Sequence, residues 1–140
     1  MAAKSAVRGS NTATGYPATA RIPQLIQREI DHSDPLYQLA QNDTLDVLPI
    51  KARTLLINSG YEVLVGEGAA RNISVEDSGA VAIIATQSAQ TAGTGGIGAS
   101  TVQRQYLAAS AIRAKADTAG GIVTAKVRYW ALVVDLAKNA

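Results

Sequence analysis

The 140-residue chain has a net charge of +2, no cysteine, no phenylalanine, one tryptophan and five tyrosines. Without cysteine there is no disulfide, thiol nucleophile or cysteine zinc site. The mild positive charge does not by itself imply nucleic acid, and no stretch approaches the ~18 apolar residues of a membrane-spanning helix. The length predicts one domain. Its core must be built from Ala, Val, Ile and Leu, each large aliphatic contributing roughly 1.5–3 kcal/mol when buried, and so lean a core gains from association with other chains.

Residues 1–20 are rich in Ala, Ser, Thr and Gly, carry Lys4, Arg8 and Tyr16-Pro17, and show no countable period. Such a segment does not bury enough surface to offset its ordering entropy. It reads either as a tail or as an arm that orders on a neighbouring subunit with Tyr16 as anchor. Met1-Ala2-Ala3-Lys4 is followed by no apolar core, so no secretory leader is expected. Over 21–42, Ile22, Leu25, Ile26 and Ile30 fall at helical spacing behind Pro23, and Ser33-Asp34-Pro35 breaks the pattern. The segment 1–42 is therefore expected to be an N-terminal arm, partly extended or in a short helix, preceding a body over 43–140. His32, the one histidine, sits between Asp31 and Asp34. One histidine in such a turn reads as a solvated loop residue rather than a metal ligand.

Asp43–Asp77 is the organising stretch, with Leu45/Val47, Tyr61/Val63/Val65 and Ile73/Val75 each two apart. That period marks strands. Asn58-Ser59-Gly60 predicts a turn between two of them. Ala80–Thr86 is a short apolar run expected to be a buried strand. Thr91–Ser100 is glycine-rich, but Gly95-Gly96-Ile97-Gly98 lacks the lysine and the helix-opening spacing of a phosphate loop, so it reads as a flexible surface loop. Thr101–Ala116 leaves helix and strand open; its Arg104, Arg113 and Lys115 read as a solvated basic face. Ile122–Leu136 is the longest strand candidate. Val127, Tyr129, Ala131 and Val133 share one face, and Lys126, Arg128 and Trp130 the other. That second face turns apolar from Trp130 onward, where a second sheet or another subunit is expected to cover it. Several turn-marked strands without a long helix predict a mainly β chain, an antiparallel β-sandwich or jelly-roll-like body with an extended N-terminal arm.

Little chemistry is legible. The carboxylates include Glu62, Glu67, Glu76-Asp77 and Asp135, but none shows the paired arrangement of a glycosidase, and His32 has no nucleophile-elbow serine. No enzyme activity and no cofactor are expected. On a strand, Tyr129 points away from Arg128 and Trp130, which weakens a nucleic-acid platform.

The runs Asp43–Ile50 and Tyr61–Asp77, with Gly68-Ala69-Ala70-Arg71 leading to the acidic turn Glu76-Asp77-Ser78-Gly79, and the closing strand Lys126–Val133, resemble small head decoration (cement) proteins of tailed bacteriophages. The pattern covers about residues 43–90 and 120–136. Where the family usually has Pro-x-Gly, this chain has Pro49-Ile50-Lys51-Ala52-Arg53. The resemblance implies a virion structural protein, made in the host cytoplasm, that binds the outside of the major capsid protein shell, often as a homotrimer, with no membrane and no specific nucleic acid as partner. A head–tail connector, a tail or fibre component, or a carbohydrate- or nucleic-acid-binding β-module is the alternative. Capsid or subunit contacts are expected from Tyr16, Ile22, Leu25, Ile26, Arg28, Arg128 and Trp130.

Overall fold

The computed structural model describes residues 22–99 and 103–136, and every regular element among them is a strand. In chain order these are β1 (Gln24–Asp31), β2 (Thr44–Ile50), β3 (Thr54–Val65), β4 (Asn72–Asp77), β5 (Ala82–Ser88), β6 (Gly95–Ile97), β7 (Arg104–Tyr106), β8 (Ser110–Ala116) and β9 (Lys126–Asp135). They form two antiparallel sheets. One has the order β1-β9-β3, with β6 and β7 both on the far edge of β3; the other has the order β2-β8-β4-β5. The expected antiparallel, jelly-roll-like sandwich is the fold. Only the β4–β5 hairpin and the β6–β7 link stay within one sheet. Every other connection passes from one sheet to the other, so the fold closes through non-local pairings, the arrangement that folds slowly.

The period-two pattern sorts side chains as the sequence predicts. Val127, Tyr129, Ala131 and Val133 of β9 are buried, as are Ile73 and Val75 of β4 and Ile112, Ala114 and Ala116 of β8. Lacking phenylalanine, the core is filled by tyrosines: Tyr61, Tyr106 and Tyr129 are all buried. Each brings large apolar area and a hydroxyl to be satisfied.

Several expectations change. Residues 58–60 do not turn. β3 runs through them as one strand with a register shift between Leu56 and Asn58. The bulge falls at Ile57, and the residues that read as a turn pair regularly with Leu132, Ala131 and Trp130 of β9; the Asn58 side chain accepts the Ser59 N–H at 2.8 Å. Residues 24–31 pair with β9 along their whole length, from Gln24↔Val133 to Asp31↔Lys126. Ile26 and Ile30 are four apart, which satisfies both the helical and the strand period; pairing decides between them. Of the segment drawn as an arm, 24–31 is thus an edge strand and 32–43 a strap to β2, while residues 1–21, Tyr16 included, lie outside the described residues. Thr101–Ala116 contributes two strands, β7 and β8, and Arg104 and Arg113 sit in ion pairs rather than on a free face. In the 80–86 run only Ile83 and Ile84 are buried and Val81 is 42% exposed, because β5 is an edge. β9 begins only at Lys126; Ile122 makes an isolated bridge with Leu39.

Three buried polar groups tie the loops to the sheets. Asp77 accepts from the Gly79 and Val81 N–H groups at 2.8 and 3.0 Å, from the Tyr106 hydroxyl at 3.0 Å and from Arg104 at 3.3 Å. It therefore closes its own turn and joins β7 of one sheet to the β4–β5 hairpin of the other. The Glu67 carboxylate receives the N–H groups of Val123, Thr124 and Ala125 at 2.8–3.0 Å, which fixes where β9 starts. His32 is not a solvated loop residue: it is 0% exposed. Its Nδ1 lies 2.8 Å from the Tyr37 carbonyl oxygen and its Nε2 2.8 Å from the Tyr129 hydroxyl. A carbonyl only accepts, so Nδ1 carries the proton, and Nε2 accepts from Tyr129. Burial pushes the His32 pKa down, which favours this neutral form.

The β2–β3 turn closes without a glycine. Arg53 takes φ 60°, a left-handed conformation that glycine adopts without steric cost. Its carbonyl accepts the Leu136 N–H at 2.8 Å, pinning the far end of β9.

Candidate interaction face

The outer face of the β1-β9-β3-β6 sheet is built in rows by strand register. Glu29, Arg128 and Glu62 lie side by side across β1, β9 and β3. Arg128 contacts Glu29 at 2.8 Å and Glu62 at 3.5 Å, and Lys126 reaches Glu29 at 3.6 Å. The hydrogen bond from Arg128, aided by the charge of Lys126, holds the Glu29 carboxyl below the usual carboxylate range. All these side chains are solvated, so the ladder fixes geometry more than it adds stability.

The next rows carry the apolar side chains. Gln27, Trp130, Gly60 and Ile97 are aligned across four strands, and Leu25, Leu132 and Asn58 across three. Leu25 is 59% and Ile97 69% exposed, while Trp130 and Leu132 are half-buried. The sequence anticipated that this face turns apolar from Trp130; among the described residues no second layer covers it. The outer face of the other sheet differs. There Asp46, Arg113 and Glu76 are aligned, with Arg113 2.9 Å from Asp46, and Thr44, Lys115 and Ser74 form the next row. The sandwich thus has one polar outer face and one with an apolar stripe, the asymmetry expected of a binding surface.

Two glycines shape the stripe. A Cβ on Gly60 would lie 2.4 Å from the Trp130 ring, so the indole rests directly on the β3 backbone. A Cβ on Gly95 would lie 2.4 Å from the Tyr61 carbonyl oxygen. The absence of side chains lets the glycine-rich segment pair with β3 as β6 instead of forming the expected flexible loop. β6 and its preceding turn then wall a shallow groove against Trp130 and Glu62. Gly60→Ala is expected to lift the indole toward water. Because Trp130 is the chain's one tryptophan, the readout is a red shift in its emission; unchanged emission would mean that the ring is not seated on Gly60.

Of the seven residues expected to make contacts, the structure brings Leu25, Arg128 and Trp130 together on this face. Ile22 is 68% exposed just before β1. Ile26 points the other way and packs against the core. Arg28, on an exposed part of the edge, lies 5.9 Å from the centre of the Tyr37 ring and holds the strap. Tyr16 is outside the described residues. Glu29, Glu62, Ile97 and Leu132 complete the face; the strand period already puts Leu132 beside Trp130, but sequence reading missed the other three, because cross-strand register, unlike strand period, is not written locally.

No protein-family model and no curated protein sequence matches the chain. Similar folds occur among solved structures. A chain of the cyanophage Pam1 capsid asymmetric unit aligns with TM-score 0.66 at 13% identity, over 96% of this chain and 99% of its own length. A chain in the capsid of Ralstonia phage GP4 aligns with TM-score 0.61 at 15% identity, over 85% and 88%. A chain in the acidic stable capsid structure of Helicobacter pylori bacteriophage KHP30 aligns with TM-score 0.58 at 10% identity, over 81% and 87%. At these identities the likeness is one of fold.

Proposed function

We propose that this chain is a non-enzymatic structural component of a bacteriophage capsid, and more specifically a cement protein. It binds the outside of the major capsid protein shell, assembles as a homotrimer, and bridges shell subunits after synthesis in the host cytoplasm. The observation that carries this reading is the near end-to-end agreement of its sandwich, in both directions, with a chain of a phage capsid. The apolar stripe beside the charged ladder supplies a surface of the required kind: a half-buried Trp with aliphatic neighbours, rimmed by oriented charges, is the composition of binding hot spots. Repetition over many shell sites makes modest single contacts sufficient.

The test is co-sedimentation of purified protein with empty capsid shells. Saturable binding is the expected result. Leu25→Asp is expected to weaken that binding at least tenfold while leaving the melting transition in place, because Leu25 is already largely in water. Protein that ignores shells but assembles into rings or binds tails would replace the cement reading with a connector or tail part. A glycan or nucleic-acid module would instead show ligand binding that is lost with Trp130.

A further inference from the structure

A second feature lies away from the outer face. Where the edges of β1 and β2 meet, a cleft of about 110 Å³ opens between the sheets. Ile26, Pro49, Ile50 and Val133 give it apolar walls, and Lys51 and Asp135 stand among its polar residues. β1 has no strand on its outer side among the described residues, so the cleft adjoins a row of backbone groups able to accept another strand.

The start of the described chain stands at this cleft, since Gln24 also lines it. Residues 1–21 contain Lys4, Arg8 and Arg21 and no acidic residue, so of the net +2 the remaining chain contributes −1. Extended, 21 residues reach about 70 Å. Their one aromatic residue is Tyr16. Pro23 holds the residue before it in the extended region, and Ile22 is 68% exposed rather than folded inward. Ile22 is thus held extended and in water at the start of the described chain rather than folded into the cleft.

We propose that residues 1–21 of a second copy of this chain occupy the cleft, running along the free edge of β1 with Tyr16 between Ile26 and Pro49. Main-chain pairing supplies the attachment, the apolar walls take the ring, and the cationic segment meets a body of slightly negative net charge. The inference deepens the cement reading and rests on its self-association, but not on binding to a shell. Tyr16 lies six residues before Ile22, roughly 20 Å of extended chain, which sets how near the copies must stand.

Because the chain has no cysteine, single-cysteine variants report contacts cleanly. Ala18→Cys protein is mixed with Lys51→Cys protein under mild oxidation, and with Ser74→Cys, on the polar outer face, as a collision control. The expected result is a disulfide-linked pair with Lys51→Cys in at least tenfold excess over the control, abolished by adding Tyr16→Ser to the Ala18→Cys chain. An Ala18→Cys/Lys51→Cys double variant, diluted into excess wild type, should not close on itself. Internal closure would assign the cleft to the chain's own segment and overturn the proposal. Linkage no better than the control, or a monomer by native mass spectrometry, would overturn it as well. Shell co-sedimentation of the same proteins separates the two readings: retained shell binding without linkage removes arm exchange alone, and linkage without shell binding removes the capsid assignment alone.

Discussion

Asp77→Ala is expected to lower folding stability by about 3–5 kcal/mol, the cost of stranding the donors that a buried carboxylate serves. Asp77 is 3% exposed and its carboxylate serves four donors from two chain segments. Alanine leaves the Tyr106 hydroxyl and two backbone N–H groups unsatisfied, each costing about 1–3 kcal/mol if it stays dry. For a domain whose total stability is about 5–15 kcal/mol, that is a large fraction. Asp77→Asn retains an oxygen for the two N–H groups but turns an amide toward Arg104 and Tyr106, so it should fall between wild type and alanine. Arg104→Ala should cost under about 1 kcal/mol, since that side chain is 45% exposed. Urea denaturation monitored by circular dichroism orders the three variants. A loss below about 1 kcal/mol for Asp77→Ala would show that Asp77 does not join the sheets.

The second large effect is a loss of stability in mild acid, traced to His32. Desolvation lowers its folded pKa below the ordinary 6.5, against the hydrogen bond to the Tyr37 backbone and the charges of Glu67 and Asp31, which raise it. Above pH 6.5 neither folded nor unfolded chain takes up the proton, and stability is whole. As pH falls below 6.5 the unfolded chain binds it and the folded chain resists, so stability declines until the folded pKa is passed. One proton sets a ceiling of about 1.4 kcal/mol per pH unit. Glu29 and Asp31 have lowered pKa values, so their contributions are present above the usual carboxylate range and are lost only below it. Between about pH 6.5 and 4.5 the slope therefore belongs to the histidine. Denaturation midpoints measured across that window should fall steadily, and His32→Gln should flatten the slope even though it is less stable near neutral pH. A flat wild-type profile, or an unchanged slope in the variant, would show that His32 is not held neutral. As the chain's one histidine, its imidazole signals also give the folded pKa directly by NMR.

The strands of the Asp43–Asp77 stretch and of the chain's end were legible because alternation of apolar and polar residues reports which face of a strand is buried. Tyr61/Val63, Ile73/Val75 and Val127/Tyr129/Ala131/Val133 all lie inside as their spacing implies. Reading failed where a local signal has two structural meanings. Ile26 and Ile30 satisfy helix and strand alike. Asn58-Ser59-Gly60 fits a turn or a strand, and pairing with Leu132, Ala131 and Trp130 decides for the strand, with the indole lying on Gly60. Gly95-Gly96 looked like a free loop because nothing local says that a neighbouring backbone requires their missing side chains.

The sequence alone determined the class of the molecule: strands instead of helices, a core without phenylalanine, no cysteine chemistry, and a last strand whose second face turns apolar at Trp130. Those properties follow from side-chain type and spacing within a few residues. The tertiary structure decided which side chains share a face and which polar groups are buried. Leu25, Trp130 and Ile97 meet only because β1, β9, β3 and β6 pair in one register. His32 becomes a core residue only because the strap lays it against Tyr129, 97 residues along the chain. Such juxtapositions join segments far apart in sequence, and only the closure of both sheets brings them together.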